Sequence, residues 1–264
     1  MHMDGSFHFA LSTFHYSVIT LQNVSKAYGD TDVLRDITLQ INPGELVCVT
    51  GKSGAGKSTL LHLLTGAETV TRGSITVDGV DLRNVPPAAL QIYRRRLGMV
   101  FQDYKLIPYR TVAENIAFPL EVCGVADGAI DARVNDILHD LDIVHLHRSL
   151  PQHLSGGEKA RTAIGRAIAH KPLILLADEP TGNLDAEAAA QVLRIFESIH
   201  RSGTTVIIAT HDERIVDSVH ARRVHIESGS VTADAPAVPG QEGESAREPP
   251  ESTKKKIKVT AINS

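Results

Sequence analysis

The chain has 264 residues, 42% of them hydrophobic and 22% charged, with a net charge of −4. That is ordinary soluble globular composition, long enough for one large domain or a domain with a subdomain. It excludes a global basic field for nucleic acid, a bilayer span of ~18 apolar residues, and a secretory signal with a basic and then an apolar segment.

Two cysteines are present, Cys48 and Cys123. Cys48 falls in an apolar run that reads as a buried strand, so a structural disulfide is not expected and a reducing cytosol fits.

Residues 1–16 have no clean period and read as a disordered extension. Folding signals begin near Ser17, with a strand over Val18–Gln22 and another over Val33–Ile41, where Ile37, Leu39 and Ile41 alternate onto one face. Tyr28 lies between them. It could stack on a purine or simply close a strand end, and position alone leaves both readings open. Asn42-Pro43-Gly44-Glu45 is a turn, and Leu46-Val47-Cys48-Val49-Thr50 is a short buried-strand run.

Gly51-Lys52-Ser53-Gly54-Ala55-Gly56-Lys57-Ser58-Thr59 follows at once and fits G-x-x-x-x-G-K-[ST], a phosphate-binding loop. The glycines let the backbone turn and aim its N–H groups inward. The next helix adds the positive end of its dipole. Lys57 is expected to reach the β- and γ-phosphates, and the Ser58 hydroxyl to ligate Mg²⁺. Leu60, Leu61, Leu63 and Leu64 give that helix an apolar face.

Gly73–Val80 reads as a hairpin around Asp78-Gly79. Pro86-Pro87 then breaks the chain before a helix over Ala88–Arg96, whose Arg94-Arg95-Arg96 reads as a solvated or partner-facing surface. Leu97–Phe101 is strand-like and delivers Gln102, whose amide could meet a metal or water. The stretch 103–150 is mostly helix and loop. Its clearest helix runs from Ala129 to Leu141, with Ile130, Val134, Ile137 and Leu138 at helical spacing. His139, His145, His147 and His153 lack an HExxH pattern or cysteine partners and are not read as a metal site.

Leu154-Ser155-Gly156-Gly157-Glu158 is the second constellation. Ser155 and Glu158 form a capping box for a helix through Ile168. Two glycines in a first turn cost up to ~1 kcal/mol each against alanine, which makes sense if something approaches that backbone closely. The helix start is a second anion site.

The third is Leu173-Ile174-Leu175-Leu176-Ala177-Asp178-Glu179-Pro180, a strand buried on both faces that ends in two acids. Alternation aims them apart: Asp178 toward a Mg²⁺ shell, Glu179 toward an attacking water. Asn183-Leu184-Asp185 precedes a helix through about Arg201. A further buried strand, Thr205–Thr210, delivers His211-Asp212 to its C-terminal end, the edge where ligands bind in open α/β sheets. From Gly229 onward Ala, Pro, Gly and Glu dominate, which reads as a disordered linker ending in a basic tail around Lys254-Lys255-Lys256. That tail could touch an acidic membrane or merely solubilise.

In this order, over residues 17–228, these motifs resemble the ATP-binding subunits of ABC transporters. The resemblance implies an α/β P-loop core, an N-terminal antiparallel β subdomain and a helical subdomain inserted at about 87–160. It implies a head-to-tail, ATP-dependent homodimer, with each ATP between one copy's phosphate loop and the other's Ser155-Gly156-Gly157-Glu158 helix start. It further implies Tyr28 as adenine stacker, Ser58, Gln102 and Asp178 around Mg²⁺, Glu179 polarising water, His211 sensing the γ-phosphate and Asp185 acting across the dimer. Within the family, Asp178–Asp185 is similar to the group that serves cell division, lipoprotein release and macrolide export, and Phe101–Asn115 is most similar to its cell-division members, with lipoprotein-release and macrolide-export motors as the alternative. That implies a peripheral protein on the cytoplasmic membrane face with an integral membrane partner and no nucleic acid. A soluble ABC protein acting on DNA or ribosomes is disfavoured by the single nucleotide module and lack of basic charge. The chain departs from the family at Lys52, at Lys159-Ala160-Arg161-Thr162 and at Gly165, where alanine is common.

Overall fold

The computed structural model describes residues 17–212, 216 and 218–237. The expected extension at 1–16 and the basic tail lie outside the described residues. In chain order the elements are β1 (Ile19–Tyr28), β2 (Thr31–Ile41), β3 (Leu46–Thr50), α1 (Lys57–Leu64), β4 (Arg72–Val77), β5 (Val80–Asp81), α2 (Pro87–Arg94) and β6 (Leu97–Val100). Then come α3 (Val112–Val122), α4 (Asp127–Asp140), α5 (Gly156–Ile168), β7 (Ile174–Asp178), α6 (Ala186–Arg201), β8 (Thr205–Thr210), β9 (Arg222–Glu227) and β10 (Ser230–Ala235).

Two sheets form. One is antiparallel, in the order β2-β1-β4-β5, and is the expected N-terminal β subdomain. The other runs β10-β9-β3-β8-β7-β6, parallel except for the β10 edge. Its central strands are buried on both faces, which is why they read as unbroken apolar runs. Val47 and Val49 of β3 enter the cluster shared with α1 and the antiparallel sheet, whereas Leu46 and Cys48 pack with α5 and α6. β7 divides the same way, with Ile174 and Leu176 on one side and Leu175 and Ala177 on the other. α1 lies in the first cluster, with Leu60, Leu61, Leu63 and Leu64 all buried. At ~1.5–3 kcal/mol per fully buried leucine, this packing anchors the helix beneath the phosphate loop.

A third cluster unites α3, α4 and the following loop, from Val112 to Leu154, with Ala169 at the end of α5. Within the expected insertion at about 87–160, α3 and α4 share this cluster. α2 belongs to the first cluster instead: Tyr93 is buried and its hydroxyl donates to the Leu64 carbonyl. The arginine run also splits. Arg94 donates to the carbonyls of Thr65 (3.2 Å) and Gly66 (2.9 Å), satisfying the end of α1, while Arg96 pairs with Asp78. Only Arg95 matches the expected solvated face without such a bond.

The domain also continues past 229. Ser230–Ala235 is a strand, β10, antiparallel to β9, and not linker. Arg222 holds it, with both Asp234 carboxylate oxygens at 2.7 Å.

Candidate active site

Strand register assembles the site. Thr50 of β3 pairs with Thr210 of β8, and Asp178 of β7 pairs with Ala209. The phosphate loop, the two acids and His211 therefore leave the sheet at one edge. Two glycines are required by what surrounds the loop. A Cβ on Gly51 would lie 2.2 Å from the Ile226 carbonyl oxygen, and Gly56, at φ 104°, caps α1 with Leu34 Cδ2 and the Val33 carbonyl closing over it.

Lys57 is buried and folds back over its own loop, donating to the carbonyls of Gly51 (2.8 Å) and Lys52 (3.2 Å). Its Nζ also lies 3.4 Å from Glu179 Oε1. That oxygen meets His211 Nδ1 at 2.9 Å, while the His211 backbone N–H donates to Oε2 at 3.3 Å. The contact calls for the proton on Nδ1, leaving Nε2 for another partner. Glu179 has φ 45° and its N–H extends the ladder by donating to the Ala209 carbonyl at 2.8 Å. A non-glycine residue held there is a strained position of the kind found at functional sites. The two acids thus part because Glu179 turns out of the strand, not through simple alternation. Asp178 accepts from Ser58 Oγ at 3.0 Å, and burial pushes its carboxyl above the usual range despite that bond.

A hollow of about 260 Å³ is lined by Gly56, Lys57, Ser58, Gln102, Glu179 and His211 among others. A second, of about 490 Å³, follows the outer side of the loop along Gly51, Lys52, Ser53, Gly54 and Ala55. Thr59 joins the first. Asp178 does not line it and reaches it through Ser58.

Three expected site groups lie elsewhere in the chain. Tyr28 lines neither hollow. It is 44% exposed at the end of β1, with Lys26 Nζ 4.6 Å from its ring centroid, and Lys26 is in turn fixed by Glu68 at 2.8 Å. Ser155 and Glu158 form the expected capping box at the start of α5. The backbone N–H of Ser155 holds the Glu158 carboxyl below its usual range. Neither these residues nor Gly156 and Gly157 line the two hollows. The close approach that their glycines permit is partly internal: a Cβ on Gly156 would be 3.1 Å from Leu184 Cδ2, and one on Gly157 3.3 Å from Ala188 Cβ. Asp185 is exposed and caps α6, accepting from Ala188 N–H at 2.8 Å. No local pattern in the sequence marks Lys26 or Glu68.

The profile of the ABC transporter family matches residues 34–182. The cell division ATP-binding protein FtsE of Streptococcus pneumoniae D39 is 42% identical over 219 residues, covering 83% of this chain and 95% of the relative. FtsE of Bacillus subtilis is 41% identical over 82% of this chain and 96% of its own length. FtsE of Escherichia coli K12 is 41% identical over 80% and 96% respectively. Among solved structures, the ATP-binding cassette MJ0796, dimeric in a post-hydrolysis state with ADP and Pi bound, is 30% identical. It superposes with a TM-score of 0.77 over 84% of this chain and all of that one.

Proposed function

This chain belongs to the ABC transporter family and is an ATPase, and on that premise we propose that it works as the FtsE-type motor of a cell-division membrane complex. The observation that carries the chemistry is the meeting of Lys57, Ser58, Glu179 and His211 around one hollow at the sheet edge.

The triphosphate takes the loop's inward N–H groups and the N-terminus of α1, with Lys57 turning from Glu179 to the terminal phosphates. Ser58 and Gln102 offer hard oxygen donors to the hollow, and Asp178 stands 3.0 Å from the Ser58 hydroxyl. That donor set suits Mg²⁺. When bound, the ion neutralises phosphate charge. Glu179 accepts a hydrogen bond from the attacking water and orients it in line. His211 keeps that carboxylate aimed, and its free Nε2 faces the phosphate that leaves. Tyr28, half exposed and with Lys26 against its ring, stacks on adenine.

The Ser155-Gly156-Gly157-Glu158 helix start completes the site in trans. Its anion-binding end lines neither hollow of its own chain, and the cassette MJ0796 is a dimer. Two copies arranged head to tail bring each helix start to the partner's nucleotide. Closure on ATP and opening after hydrolysis is then a ligand-driven population shift.

No helix among the described residues is long and apolar enough to cross a membrane. An FtsX-like integral partner holds the chain at the cytoplasmic face. A groove of about 570 Å³ between α2, α3 and α5 is suited to a segment of that partner, with Phe101, Phe118, Val122 and Cys123 as its apolar floor and Arg94 and Arg95 on its rim. The test is to capture the full chain from detergent-solubilised membranes with Glu179→Gln and ATP. A four-span FtsX-like protein in the complex supports the reading. A large permease alone makes the chain an export motor instead.

A further inference from the structure

We propose that Arg166 is a positioning residue for ATP hydrolysis, fixing from the middle of α5 the loop that carries Gln102. Its two terminal nitrogens donate to the carbonyls of Lys105 (2.6 Å) and Tyr104 (2.7 Å). Those two residues are consecutive and both left-handed, at φ 61° for Tyr104 and 46° for Lys105. Neither is glycine, so the turn is strained and persists only where its surroundings hold it. Tight local bonds shape it as well, from Tyr104 N–H to the Phe101 carbonyl at 2.8 Å and from Lys105 N–H to the Asp103 carbonyl at 2.7 Å. Gln102 lies inside this turn and faces the hollow with Lys57, Ser58 and Glu179.

The anchoring is two-sided. The Tyr104 ring is buried in the cluster with Ala163 and Ala167 of α5, while its hydroxyl has no hydrogen-bond partner. That ring is there for its packing. On the other side the guanidinium closes on two backbone carbonyls, and burial lowers its pKa. A planar fork can satisfy two diverging carbonyls at once in a way that an ammonium cannot. Rotation or withdrawal of Arg166 releases the strained turn and lets Gln102 drift from the hollow.

The link reaches further than one loop. α5 begins at Ser155-Gly156-Gly157, the end that the dimer reading sets against the partner's nucleotide. Arg166 therefore joins the element that faces one nucleotide to the loop that faces the other. Arg166 and Lys105 also lie in the wall of the partner groove, so a segment seated there bears on the same bonds. The inference rests on the reading that Gln102 serves the nucleotide site.

The test is a double-mutant cycle on the full chain, with ATP turnover and KM measured alongside thermal unfolding. Arg166→Met is expected to lower kcat about tenfold or more with KM changed less than about threefold, because a small displacement of a reacting group is costly. Arg166→Lys, which keeps the charge but only one prong, is expected between Met and wild type. In a Gln102→Ala background Arg166→Met should lower kcat by less than about twofold, since residues acting as a unit are not additive. A merely structural arginine would give the same fall in both backgrounds, and that result overturns the proposal. So does wild-type turnover in Arg166→Met while Gln102→Ala is impaired. Wild-type turnover in Gln102→Ala would instead remove the reading of Gln102 and the proposal with it. Should Arg166→Met fail to fold, the same cycle with Arg166→Lys decides the matter on the same criteria.

Discussion

Lys57 Nζ and Glu179 Oε1 lie 3.4 Å apart, so the cation that the proposed function assigns to phosphate and the carboxylate it assigns to water hold each other. Both are buried, and removal of either partner leaves the other charge without its counterpart. A triphosphate offers Lys57 a stronger partner and leaves Glu179 to His211, already 2.9 Å away. On the proposed function, nucleotide arrival converts this ion pair into a separated acceptor and clamp.

Glu179→Gln keeps the side chain's shape and one acceptor oxygen but not its charge. Nucleotide binding is expected to stay within a few-fold of wild type, while turnover falls by roughly 10²–10⁴, the usual worth of a positioned general base. Phosphate release and equilibrium nucleotide binding, measured on the same preparation, check the two halves.

Ser58→Ala removes the hydroxyl that donates to Asp178 at 3.0 Å. The Mg²⁺ concentration for half-maximal turnover is expected to rise roughly 10–100-fold, as when a ligand or its support is lost at a metal site. Chelation of Mg²⁺ should abolish turnover in both proteins. A Mg²⁺ titration of each protein measures it.

The cysteines give an independent check on packing. Cys48 is fully buried in β3, and burial pushes its thiol up to about 12, whereas Cys123 is half-buried in the groove between α2, α3 and α5. At pH 8 the native chain is expected to label at Cys123 alone, with Cys48 reacting only on unfolding. Binding of the proposed membrane partner should protect Cys123. Mass spectrometry of alkylated protein distinguishes these states.

Much of this architecture was legible in the chain. β3, β7 and β8 announced themselves because parallel strands buried on both faces read as apolar runs, and the glycine-lysine-serine spacing and the Ser155–Glu158 capping box are local devices. What escaped is tertiary. Arg166 finds its partners sixty residues back in sequence, which no local pattern encodes. α2 joins the first cluster through one buried tyrosine hydroxyl bound to the end of α1. β10 was hidden because alanine and proline follow it at once. Its strand depends on Arg222, which reaches Asp234 as well as Glu45 and the Gln40 carbonyl.

That last clamp makes a pH prediction. The Arg222 guanidinium holds the Asp234 carboxyl below its usual range. A depressed folded pKa means stability that is present above the unfolded value, near 3.8, and lost as pH falls through the lower folded one. Amides of residues 230–235 are therefore expected to exchange faster as pH drops below about 4, after correction for intrinsic rates. Asp234→Asn should show faster exchange already at neutral pH and lose this acid dependence. Hydrogen exchange by mass spectrometry reads both.

The proposed sharing of each nucleotide between two copies is tested most directly by mixing two dead variants. Lys57→Ala disables the phosphate loop and leaves Ser155 intact, while Ser155→Arg disables the helix start and leaves Lys57 intact. Mixed dimers then hold one complete site, and turnover is expected to return to roughly a quarter of wild type if subunits exchange freely and sites act independently. A mixture that stays as inactive as either variant, although the two copies co-purify, would contradict the shared site.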